Sequence, residues 1–102
     1  MSTTALFQPL PLGPITLSHR VVMAPLTRMR ASVPGEAPNA LNAQYYGQRA
    51  TQGGLIIAEA SQIVPGGKLA PSTPGIHSAD QIAGWAQVVK AIHAKGGYAY
   101  LQ

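Results

Sequence analysis

The segment VVMAPLTRMR, residues 21–30, decides how the chain folds. Residues 21–24 are a short unbroken apolar run, the pattern of a strand buried on both faces of a parallel sheet. Pro25 has no N–H to give a ladder, so the strand ends there. Directly beyond it stand a hydroxyl, Thr27, and two guanidiniums, Arg28 and Arg30. Polar groups in a loop at the carboxyl end of a parallel strand occupy the position where α/β folds bind ligands.

Working outward, the same pattern recurs. LIIAEA at 55–60 is a second doubly apolar strand, and YAYLQ at 98–102 opens a third. Between the first two, Asn39 is a helix cap ahead of ALNAQYYGQRATQ at 40–52. There Leu41, Tyr45 and Gln48 share a face, Gly47 weakens the helix by about 1 kcal/mol relative to alanine, and Gly53-Gly54 stops it. Between the second and third strands, Ser78 and Gln81 have capping-box spacing, and Asp80 lies in the first turn, where negative charge is favoured. Ile82, Trp85, Val89 and Ile92 follow a helical period. Lys90, His93 and Lys95 gather toward the end that prefers positive charge, and Gly96-Gly97 terminates the helix.

Ahead of residue 21, LFQPLPLGPITLSHR (6–20) carries a Gly13-Pro14 turn signal, with Leu6-Phe7 and residues 15–17 as strand candidates on either side. The order is hairpin, strand, helix, strand, helix, strand, which implies right-handed parallel βαβ units in an α/β fold. Three parallel strands with two helices leave open edges, so the chain is expected to be part of a larger fold.

Composition narrows the function classes. The chain has 102 residues and no cysteine, which excludes a disulfide, a thiolate nucleophile and a Cys-ligated metal. No apolar run approaches the roughly 20 residues that span a bilayer. MSTTALFQPLPLG lacks the basic start and apolar core of a signal peptide, so a cytoplasmic location without membrane association is the expectation. Seven Lys and Arg against three acids give a net charge of +4. The basic residues are scattered along the sequence, which argues against nucleic-acid binding. Charged residues make up 10% of the chain, against about 25% for an ordinary globular domain, so other protein is expected to cover part of its surface.

Individual residues carry less. Arg28 and Arg30 suit either a phosphate or a neighbouring acid, and the structural role is preferred. Glu59 is the one acid in an apolar strand, and a buried carboxylate needs a partner; an ion pair is expected in preference to a general base. His19, His77 and His93 lack metal-ligand spacing. No P-loop, G-x-G-x-x-G pattern or nucleophile elbow is present.

Taken together, LFQPLPLG, RVVMAPLTRMR, YYGQRA, GGLIIAEASQI, PGIHSADQIAGW and AYLQ, in this order and spacing, resemble the N-terminal part of the Old Yellow Enzyme family over nearly the whole chain. The resemblance implies part of a (β/α)8 TIM barrel whose N-terminal hairpin closes the bottom. It implies non-covalent FMN, hydride taken from NADPH or NADH, and reduction of activated alkenes such as enones. It assigns Pro25, Leu26 and Thr27 to the loop against the flavin ring, with the Thr27 hydroxyl on the C4 carbonyl oxygen. A second branch of the family has cysteine at that position. Ala60 matches a small residue touching the flavin, and Gln102 a glutamine whose amide pairs with the pyrimidine edge.

The resemblance also implies that the substrate-carbonyl ligands, the proton-donating tyrosine and the phosphate site lie beyond the third strand, so no catalytic residue is expected here. Ala70 stands where some members carry a pocket aromatic. The remaining strands are expected from a further segment or a second polypeptide. The competing classes are a stand-alone binding or structural module, an accessory protein for an anionic partner, and another FMN-dependent barrel.

Overall fold

A computed structural model describes residues 4–102. After a 3-10 turn at Thr4–Phe7 come β1 (Leu10–Leu12), β2 (Ile15–Leu17), β3 (Val22–Met23), α1 (Ala40–Arg49), β4 (Leu55–Ala58), a second 3-10 turn at Pro65–Gly67, α2 (Ala79–Ala94) and β5 (Tyr98–Leu101). β1 and β2 form an antiparallel hairpin, while β3, β4 and β5 form a parallel sheet in that order. The α/β alternation expected from the sequence is therefore present.

The hairpin differs from expectation at its first strand. Leu10 pairs with Leu17 and Leu12 with Ile15, while Leu6 and Phe7 lie in the 3-10 turn. The two-residue loop explains this register. Gly13 at φ 59° followed by Pro14 has the φ signs of a type II′ turn, which joins strands that directly flank it.

The hairpin sits at the amino-terminal end of the parallel strands, held by main-chain bonds. Ser18 N–H donates to Gly53 O at 2.9 Å, and Gly53 N–H donates to Gly96 O at 2.8 Å. Gly53 takes φ +70°, and a Cβ there would collide with Ser18. Arg20 clasps the chain ahead of the hairpin through the carbonyls of Gln8 and Pro9.

The strands are shorter than the apolar runs. β3 is two residues long and ends before Pro25. β4 stops at Ala58 because Glu59 N–H leaves the ladder and donates to the Tyr46 hydroxyl at 3.0 Å. Helix α1 also ends early: Ala50 turns to ψ 142°, three residues before Gly53-Gly54.

Both caps are as expected. Asn39 Oδ1 accepts from the N–H groups of Leu41 and Asn42, and Asn42 Oδ1 accepts from Asn39 N–H. Ser78 and Gln81 form the same reciprocal pair on α2. Such a cap stabilises a helix by about 1 kcal/mol.

The core lies between the sheet and the paired helices. Tyr46, Ala50, Ile56, Ala58, Trp85, Val88 and Ile92 are buried together. Trp85 and Ile92 of the face read for α2 lie in this core as expected, while other positions of the helical faces are corrected. Leu41 is 61% exposed and Ile82 55% exposed, whereas Asn42, Tyr46, Gln81 and Val88 point inward. The caps account for part of the shift, because Asn42 and Gln81 are buried to hold the helix starts. Gly47 has a packing role as well: its Cβ position lies 3.3 Å from Ala91 Cβ, so the two helices meet over small residues.

Candidate flavin-facing site

The three parallel strands deliver three loops to one edge. Pro25, Leu26 and Thr27 follow β3, Ala60 follows β4, and Gln102 follows β5. With strands spaced about 4.8 Å apart, the outer two loops lie on the order of 10 Å from each other, with Ala60 between them.

Main-chain bonds fix the second and third loops together. Ser61 N–H donates to Gln102 O at 3.0 Å, and Gln102 N–H donates to Ala58 O at 3.2 Å. Ala60, Gln102 and Leu69 line a hollow of about 140 Å³. Pro25, Leu26 and Thr27 are not part of that hollow. Their link to the middle strand runs through Glu59, whose Oε2 accepts from Arg28 N–H at 2.9 Å.

Glu59 is 1% exposed, and its Oε1 has no hydrogen-bond partner among the described residues. Burial pushes its carboxyl pKa up; the Arg28 N–H and the Arg28 charge act in the opposite direction and are outweighed. The expected ion pair is absent among the described residues. The acid instead holds a backbone N–H and so anchors the residue next to Thr27. The Tyr46 hydroxyl that receives Glu59 N–H is pushed up to about 12, chiefly by burial.

Sequence reasoning missed this link, because Arg28, Tyr46 and Glu59 are far apart in the chain and a backbone donor leaves no residue signature. The available signal was the isolated acid in an apolar strand.

The basic residues also converge more than their spacing suggested. Arg28 Cζ lies 5.1 Å and Arg49 Cζ 4.0 Å from the centre of the Tyr45 ring. Arg30 Nη1 donates to the carbonyls of Arg28 and Met29, the latter residue at φ 57°. Ala70 lies half-buried in the loop after β4, where its carbonyl accepts the Thr73 hydroxyl at 2.6 Å.

The residues present suit the edge of a flat heterocycle. Thr27 and Gln102 are exposed, and neither side chain makes a hydrogen bond among the described residues. A hydroxyl and a primary amide together offer donors and acceptors. The short side chain of Ala60 leaves room between them.

Comparison with known proteins agrees with the fold. Residues 5–102 match the NADH:flavin oxidoreductase / NADH oxidase family. The chain belongs to that family, the Old Yellow Enzyme family to which its motifs pointed. Among solved structures, morphinone reductase in complex with tetrahydroNAD superposes with a TM-score of 0.89 at 52% identity, over 96% of this chain and 26% of that one. 12-Oxophytodienoate reductase 1 of Oryza sativa subsp. japonica is 50% identical over 97 residues, which is 95% of this chain and 25% of that protein. The probable inactive dehydrogenase easA of Claviceps fusiformis is 47% identical over 103 residues, covering 27% of its length. The chain thus spans about a quarter of the length of these relatives.

Proposed function

We propose that this chain forms the first part of the barrel of an FMN-dependent ene-reductase and supplies one side of its flavin site. The observation that carries the reading is the delivery of Thr27, Ala60 and Gln102 to the carboxyl ends of three adjacent parallel strands. The family membership supports it. The hairpin, lying at the opposite end of those strands, is suited to closing the barrel floor. The rest of the barrel, about 250 residues when complete, comes from a further segment or a second polypeptide.

Bound FMN supplies the hydride chemistry between NAD(P)H and the alkene. This chain's part is to bind and orient. The Thr27 hydroxyl would donate to a carbonyl of the pyrimidine ring, and the Gln102 amide would pair with the same edge. Ala60 would let the ring approach the middle strand. Glu59 keeps the Thr27 loop in place through Arg28 N–H. A donor aimed where negative charge grows on reduction favours the reduced cofactor.

Native mass spectrometry of the purified protein tests the reading. The expected result is this 10.6 kDa chain joined to the remaining barrel with one FMN, in a species that oxidises NAD(P)H when given 2-cyclohexenone. A folded 10.6 kDa monomer without flavin would favour the alternative, a non-enzymatic binding or structural module. The likeness to a relative named as probably inactive keeps that alternative in view.

Within the assembled enzyme, Thr27→Ala should make the flavin potential more negative. One hydrogen bond to a developing charge is worth about 1.5–3 kcal/mol, or roughly 30–60 mV for a two-electron couple. A potentiometric titration that gives the same midpoint for both proteins would remove Thr27 from this role.

A further inference from the structure

We infer that Glu59 is a proton-sensitive positioning residue: the charge on its carboxyl, held behind the loops after β3 and β4, sets how the Thr27 hydroxyl is presented to the flavin. This inference deepens the flavin-site reading above and rests on it.

The main chain fixes the origin of the Glu59 side chain. Glu59 N–H donates to the Tyr46 hydroxyl at 3.0 Å, and Glu59 O accepts from the Ser61 hydroxyl at 3.1 Å. The carboxyl then reaches the neighbouring loop, where Oε2 accepts from Arg28 N–H at 2.9 Å. That N–H belongs to the peptide group joining Thr27 to Arg28. A peptide group is planar, so holding its N–H also holds the Thr27 carbonyl and Cα. The Thr27 hydroxyl hangs from that Cα through a single carbon. Glu59 also directly precedes Ala60. One acid therefore ties together two of the three loops of the candidate site.

The second carboxyl oxygen makes this tie sensitive to protons. Oε1 is buried and has no hydrogen-bond partner among the described residues. A carboxylate here has a single N–H to share between two charged oxygens. The charged and titratable groups that face it are Arg28, from the loop after β3, and Tyr46, from α1. Neither supplies a close counter-charge. The Arg28 guanidinium lies over the Tyr45 ring, 5.1 Å from its centre, and forms no ion pair among the described residues. The Tyr46 hydroxyl, pushed up to about 12, stays neutral. An uncompensated buried charge is costly, so the neutral acid is the resting form. Burial pushes this carboxyl in the same direction. Ionisation turns the bond from Arg28 N–H into a charge-assisted one, which is shorter and stronger. The Thr27–Arg28 peptide is then drawn toward β4, and the Thr27 hydroxyl moves with it.

The test is the midpoint potential of the flavin in the assembled enzyme, followed over roughly pH 4 to pH 8, where a raised carboxyl titrates. Wild type is expected to show an inflection that Glu59→Gln lacks. In Thr27→Ala the inflection is expected to vanish, because no hydroxyl is left to be moved. A second measurement needs neither flavin nor a variant. The amide NMR signal of Arg28 in the flavin-free protein is expected to shift over the same range, since its proton lies on the titrating carboxyl.

An inflection that persists in Thr27→Ala would mean that the Glu59 charge acts on the flavin through space, and would overturn the positioning role. Matching curves for wild type and Glu59→Gln, or an Arg28 signal that ignores pH, would overturn it as well and leave the flavin-site reading intact. A protein that takes up no FMN would overturn that reading, and this inference with it, even where the Arg28 signal titrates.

Discussion

Truncating Trp85 to alanine will destabilise the fold by about 3–5 kcal/mol, enough to remove a large part of a typical domain's stability. Trp85 is 6% exposed and packs with Tyr46, its ring centroid 6.3 Å away, in the core between the helices and the sheet. Its indole N–H also donates to Gly75 O at 3.0 Å in a buried setting. Alanine therefore leaves a cavity and a carbonyl without its donor. Trp85→Phe keeps most of the ring volume and loses the donor, so its expected loss is nearer 1 kcal/mol. Urea unfolding of the three proteins separates the two contributions. Equal losses in both variants would mean that the hydrogen bond, and not the packing, is what Trp85 contributes.

The second large effect is a pH dependence centred on Glu59. Burial raises the carboxyl pKa in the folded state above the ordinary value of 4.5. Between those two values the folded protein binds more protons than the unfolded chain, so stability falls as pH rises. Glu59's contribution is fully present below the ordinary carboxyl pKa and is lost once pH has passed the raised one. Glu59→Gln keeps an oxygen for Arg28 N–H and carries no charge, so its stability should be flat across that window. The variant should equal or exceed wild type on the alkaline side. Unfolding midpoints followed from pH 4 to pH 8 provide the check, roughly spanning the range in which a raised carboxyl titrates. A wild-type curve that rises with pH would mean that Glu59 is held as a stabilised carboxylate, with a partner on Oε1 that outweighs burial.

The alternation of strands and helices was readable because it is local. Apolar runs at 21–24 and 55–60, the Asn39 and Ser78 caps, and the Gly96 stop each act within a few residues. The helical faces were harder. Leu41 and Ile82 sit at apolar positions of a helical period yet point outward, while Asn42 and Gln81 turn inward to complete caps. A period cannot separate a core face from a face that packs against something outside the chain. For the candidate site, the loops could be located from strand ends, and the roles of Thr27, Ala60 and Gln102 came from family resemblance. What holds those loops was hidden, because Glu59 to Arg28 N–H and Ser61 N–H to Gln102 O are long-range contacts to backbone atoms. The clustering of Arg28 and Arg49 on Tyr45 was hidden for the same reason: their separation in sequence says nothing about a helix folding back over a loop.

The attachment of the hairpin to the sheet has a consequence for how this protein can change. Its relay from Ser18 through Gly53 to Gly96 is written in amide groups that nearly every amino acid possesses. Side chains around it can be exchanged without erasing the link, so this end of the molecule has wide mutational latitude. The latitude stops at a few points, among them Gly96, which like Gly53 is left-handed and has no room for a Cβ. A proline at position 18 would delete the first donor. Any side chain at position 53 meets both a left-handed backbone and the Ser18 side chain. The floor of the fold is thus robust to most single changes and brittle to very few.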